Sequence, residues 1–153
     1  MRREYGGGVD KLAVEKCSGP PFRGAGQMES FKLIWHRFPS FVAAGTVFRG
    51  KGCIYLQTDA TGNILRVGEC DDPWERYKGG TAYALDAAGH GSRNLYFFAE
   101  VGAHSQARKA LEANLIFQLQ PQYNNQHRKR APRVRLQCTH SGDVPNGLQR
   151  LPG

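Results

Sequence analysis

Apolar and polar residues alternate along Cys53-Ile54-Tyr55-Leu56-Gln57 and again along Ile64-Leu65-Arg66-Val67-Gly68, with Asp59-Ala60-Thr61-Gly62 between the two runs. Two short alternating runs around a loop with glycine near its end predict a β-hairpin. If Thr58 faces Asn63, Tyr55 faces Arg66. Ile54, Leu56, Leu65 and Val67 then share the core face, and Tyr55, Gln57, Arg66 and Gly68 share the other. A slip of one residue would mix the two sets, which favours this register. Leu95-Tyr96-Phe97-Phe98-Ala99-Glu100-Val101 is rich in aromatic and β-branched residues and predicts a third, central strand.

Helical signals separate and follow these strands. Asp72-Pro73-Trp74-Glu75 reads as a helix start, with Asp72 capping, Pro73 at the first position and Glu75 reaching back. Arg76 falls one turn in, before Gly79-Gly80 stops the helix. Thr81 to Arg93 fits either a loop or a broken helix. Ser105 offers an N-cap to a helix from Gln106 to about Leu119, whose core stripe is Ala107, Leu111, Leu115 and Leu119, widened by Ile116. Glu112 sits beside that stripe, roughly 100° round from Leu111. Pro121 closes the helix, and Asn124-Asn125 follow.

The flanks carry weaker patterns. Residues 1–27 mix glycine, proline and charge without periodicity and read as a flexible arm. Within 28–49, Phe31, Ile34, Trp35 and Phe38 recur at helical spacing, while Phe31, Leu33 and Trp35 alternate as in a strand. Either way the segment packs on the main domain, 50–126. Residues 127–153 turn basic and then polar, and read as a mobile cationic tail.

Composition narrows the class. The chain has 153 residues, enough for one domain with a core, and is 40% hydrophobic and 22% charged, as in a globular protein. A formal charge of +8 favours polyanionic partners through counterion release. Cys17, Cys53, Cys70 and Cys138 form no C-x-x-C pair, and Cys138-Thr139-His140 is too isolated for a zinc half-site. Cys53 and Cys70 flank the hairpin ends, near one another, without the further ligands that a metal needs. No run approaches a membrane span, and the start lacks a signal peptide's apolar stretch. Reduced thiols in a cytoplasm are the simplest account.

In their order, these elements and residues resemble the GIY-YIG nuclease family. Cys53-Ile54-Tyr55, with Gly52 before it, corresponds to the first motif, and Arg66-Val67-Gly68 stands at the place of the second. Arg76 matches the family's helical arginine, Glu112 its acidic helix residue and Asn124 the asparagine that follows. The match spans residues 50–125, about half the chain. It implies an α+β fold, a small three-stranded antiparallel sheet flanked by helices, and a metal-dependent endonuclease that hydrolyses DNA, with RNA a weaker candidate. Arg66 departs from the family's usual tyrosine, and Gly79 and Gly80 stand where a histidine is common, so His90 or His104 is a candidate substitute.

Phosphodiester hydrolysis requires an activated water, stabilised charge on the phosphoryl oxygens and help for the leaving oxygen. A single carboxylate with phosphate oxygens and waters suffices to hold Mg²⁺ (or Mn²⁺), and Glu112 takes that role. Tyr55 is the general base or water-positioning group. A phenol with a pKa of ~10 is a poor base at neutral pH, and a cation alongside lowers it by roughly 1 to 3 units. Arg66 is placed to do so. Arg76 binds the scissile phosphate through its fork, and Asn124 orients the region of Glu112. Arg128, Lys129, Arg130, Arg133 and Arg135 are the main candidates for backbone contact, with Lys51, Lys78 and Arg93 behind them. Cutting both strands from one site calls for a homodimer or sequential nicks. The alternative is a catalytically degenerate module of the same fold that only binds nucleic acid. A structural or toxin-partner role without nucleic acid comes third.

Overall fold

The computed structural model describes residues 28–77, 94–102 and 104–149. The expected arm (1–27), Gly79-Gly80 and the stretch from Thr81 to Arg93 lie outside the described residues. The elements are β1 (Met28–Phe38), α1 (Phe41–Val47), β2 (Cys53–Thr58), β3 (Ile64–Cys70), α2 (Pro73–Tyr77), β4 (Leu95–Glu100), α3 (Ser105–Leu119), β5 (Arg135–Gly142) and α4 (Asn146–Gln149).

The fold is α+β, with a five-stranded sheet in the order β3-β2-β4-β1-β5 where three strands were expected. The expected strands are contiguous and antiparallel, β2 pairing with β3 on one side and β4 on the other. Two more strands extend them. β1 pairs antiparallel with β4, and β5 runs parallel to β1 from Met28↔Arg135 to Trp35↔Gly142. In β1 the period of two prevails over the helical one: Phe31, Leu33 and Trp35 are at most 1% exposed, while Ile34 is 55% exposed. Within the stretch expected to be a mobile tail, 127–153, the described residues 127–149 contain β5 and α4, and the expectation is corrected for those elements. β5 carries only Leu136, Cys138 and His140 toward the sheet's covered side, too weak an apolar pattern to announce a strand whose partner lies far back in the chain.

The hairpin register differs by two residues from the expected one. Tyr55 pairs with Gly68 and Gln57 with Arg66, while Thr58 pairs with Ile64 across a bulge. The cause lies in the turn. The Asp59 amide donates to the Asn63 carbonyl, and the Asp59 carboxylate accepts from the amides of Thr61 and Asn63 at 2.9 and 3.0 Å. That closes a shorter loop than the one assumed, with Gly62 at φ 93°, and the bulge adds a further residue. A slip of two preserves the faces, so the division into core and opposite sides stands.

One face is covered by α3, whose Ala107, Leu111, Leu115 and Ile116 pack on Leu33, Trp35, Ile54, Leu56, Val67 and Phe97. The other is covered by α1, where Phe41 stands edge-on to Tyr55 and Phe98. Ser40 caps α1 through the Ala43 amide. At α3 the N-cap is His104, not Ser105, and its side chain makes no capping bond.

Candidate functional site

β2 and β3 place the first two parts of the site. A Cβ on Gly68 would collide with the outer end of the Tyr55 ring, so only glycine leaves room for the phenol to lie across β3. Tyr55 is otherwise enclosed, 2% exposed and stacked on Phe98 at 5.3 Å. Arg66 is on the same face, opposite Gln57 and two pairs along from Tyr55. The expectation that it directly faces Tyr55 is corrected accordingly.

α2 brings Arg76. The Asp72 side chain accepts from the Trp74 amide at 3.0 Å and from the Gly50 amide at 2.9 Å, tying the start of α2 to the end of α1. Gly45 permits that contact, since a Cβ there would stand 3.1 Å from the Trp74 Cα. The Arg49 guanidinium lies 4.2 Å over the Trp74 ring and closes the joint. Arg76, two residues further, is exposed at the rim.

α3 approaches from the opposite face and presents Glu112 where β3 is the sheet's outer strand. Tyr55, Arg66, Gly68, Arg76, Glu112 and Asn124 line one cleft of about 340 Å³, together with Val67, Glu69, Ile116 and the segment Tyr123 to Gln126. All five side chains singled out in the sequence meet there. Burial, and then the neighbouring Glu69, push the Glu112 carboxyl up to about 7, against the pull of Lys109, Arg66 and Arg76.

Asn124 has another task than expected. Its Oδ1 accepts from the Val67 amide at 2.8 Å and its Nδ2 donates to the Val67 carbonyl at 2.9 Å. The Tyr123 amide donates to the Leu65 carbonyl at 3.0 Å. The side chain thus pairs with the outer edge of β3 as a strand would, holding Arg66-Val67-Gly68 in place and closing an exposed edge. It braces β3 and not the Glu112 side chain.

No family model, no curated protein and no solved structure matches this chain. Glu69, Arg108, Tyr123, Asn125 and Gln126 were not anticipated. Glu69 had a signal, a carboxylate directly after Gly68, whereas Arg108 had only its place one helical turn before Glu112, which does not set it apart from a solvated arginine. The Tyr123–Gln126 segment had none beyond its nearness to Asn124.

The remaining candidates lie apart. Lys129, Arg130, Arg133 and Arg135 are exposed and do not line the cleft. Arg128 is half-buried beside it, with its carbonyl accepting from Gln120 Nε2 at 2.7 Å. Lys51 stands 3.8 Å from Glu100. Lys78, His90 and Arg93 lie outside the described residues. His104 caps α3 away from the cleft. Cys53 and Cys70 are cross-strand partners and free. Burial pushes both thiols up, Cys70 to about 12, as suits inert core cysteines. Among the described residues no three His, Cys, Asp or Glu side chains group to hold a metal, and no helix is long and apolar enough to cross a membrane.

Proposed function

We propose that this chain is a metal-dependent endonuclease of the GIY-YIG type, with β2, β3 and β4 as the family's three-stranded core and β1 and β5 added to it. One observation carries the reading: Tyr55, Arg66, Arg76 and Glu112, drawn from four separate elements and both faces of the sheet, meet in a single cleft.

The cleft suits a hydrated divalent ion. It offers Glu112, a partly buried carboxylate whose hold on a proton is strengthened first by burial and then by the neighbouring Glu69, so that a divalent ion at the same place would relieve both. One carboxylate with phosphate oxygens and waters is an ordinary Mg²⁺ or Mn²⁺ environment, whereas a structural zinc site needs four ligands. Glu112 would hold the ion, which when bound neutralises phosphoryl charge and makes water more acidic. Arg76, at the rim, forks onto the non-bridging oxygens of the scissile phosphate. Arg66 adds positive charge on the phenol's side of the sheet. The Tyr55 hydroxyl, fixed by Phe98 and by the space over Gly68, accepts a hydrogen bond from the attacking water and aligns it with phosphorus. The exposed Lys129, Arg130, Arg133 and Arg135, with Arg128, hold the flanking DNA backbone.

The test is nicking of supercoiled plasmid with Mg²⁺ or Mn²⁺ against an EDTA control. Metal-dependent nicking that disappears in Glu112→Ala is expected. Nicking that survives the substitution removes the metal assignment. Salt-sensitive DNA binding with no cleavage under either metal favours the degenerate binding module, for which Arg66 at the usual tyrosine position is the specific argument.

A further inference from the structure

The mechanism above leaves one buried ionic group without a task. Arg108 is 3% exposed on the core side of α3. Its Nε donates to Glu69 Oε1 at 2.8 Å and its Nη1 to the Gly102 carbonyl at 2.9 Å. The corner that receives it exists because Gly52 has no side chain. A Cβ there would collide with the Gly102 carbonyl and stand 2.7 Å from Arg108 Nη1. A buried ion pair is seldom more stabilising than apolar residues of the same volume. Its place next to the cleft offers a better reason for it than stability.

Glu69 follows Gly68 and lines the same cleft as Glu112 and the cations Arg66 and Arg76. Left ionised and unpaired, its carboxylate would offset one of those arginines where an anion must enter. Lys109 also reaches it, at 3.3 Å, but that side chain is 67% exposed and its pairing is screened. Arg108 is the buried partner.

We infer that Arg108 acts as a charge latch, holding the Glu69 carboxylate against the Gly102 corner and so keeping the cleft receptive to a phosphodiester. The inference rests on the nuclease reading and makes Arg108 a positioning residue, since it does not line the cleft.

The test uses the full chain, a short labelled DNA duplex in EDTA at low salt, and thermal melting. Arg108→Met strands Glu69, and duplex affinity is expected to fall roughly tenfold while Tm drops by ~10 °C. Arg108→Met combined with Glu69→Gln removes both charges and recovers affinity to within about threefold of wild type. Arg108→Lys, a milder change should the methionine variant not fold, keeps the charge but reaches only one of the two acceptors, and gives an intermediate loss. A double variant that binds no better than Arg108→Met, although it melts like wild type, overturns the latch and leaves Arg108 a purely structural residue. A wild type that binds no duplex overturns the nuclease reading and the latch's role together, and the wild-type measurement alone tells that outcome from the other.

Discussion

The two edges of the sheet are both braced by an asparagine amide, Asn124 at β3 and Asn114 at β5, yet they carry different chemistry. At β3 the outward main chain is occupied by the Asn124 amide and the Tyr123 N–H, and charged groups crowd beside it: Arg66, Glu69, Arg76 and Glu112. At the far side, β5 pairs along its whole length with β1, joins Leu136 to the core, and accepts at His140 Nδ1 a bond from the Trp35 Nε1 of β1 at 3.0 Å. One edge holds charge in a cleft, at a cost in stability. The other completes the core. Substitutions at β3 should therefore act on chemistry, and those at β1–β5 on stability.

The largest expected effect is on catalysis. Glu112→Gln should reduce metal-dependent nicking by about 10²–10³-fold or more, with Tm unchanged or raised because a buried charge has gone. On the other side, Trp35→Ala removes a fully buried indole and should cost ~3–5 kcal/mol in denaturant melts. Activity per folded molecule should hardly change. Equal losses of stability and turnover in both variants would erase the contrast between the edges.

Gly68→Ala lies between these extremes. The added methyl meets the Tyr55 ring, so a loss of ~1–3 kcal/mol should accompany a nicking defect on the order of 10²-fold. Wild-type stability and rate in this variant would show that the phenol does not lie across β3.

Smaller still, and of opposite sign at the two edges, is the response to pH. The Glu112 carboxyl is raised from 4.5 to about 7, mainly by burial and next by Glu69. Its contribution to stability is present below about pH 4.5 and is lost as pH rises toward about 7. His140 is pushed below its ordinary 6.5 by burial, and Trp35 donates to its unprotonated Nδ1. Its contribution is present above pH 6.5 and is lost as pH falls through the lowered value. Melting curves against pH should lose the first decline in Glu112→Gln and the second in His140→Gln.

Much of the β3 side was legible in the sequence because its signals are local. Alternation on either side of the Asp59–Gly62 loop marks the hairpin, Asp72-Pro73 marks α2, and the stripe of α3 orients Glu112. The register was misjudged because the side-chain bonds of Asp59 and a bulge set the turn, and a slip of two is silent in the face pattern. β5 was not legible: a parallel strand carrying Leu136, Cys138 and His140 has no pattern without its distant partner β1. The Arg108–Glu69 pair escaped because an arginine within an apolar helix stripe reads as a solvated side chain until its partner on β3 is seen.

The most direct measurement is a double-substitution cycle in single-turnover cleavage of a defined duplex with Mn²⁺, using Tyr55→Phe, Arg76→Ala and the combination. Groups that act on one phosphodiester as a unit should be strongly non-additive, leaving the double variant within about tenfold of the slower single one. Losses that simply multiply, or a wild type with no metal-dependent cleavage, would contradict the account.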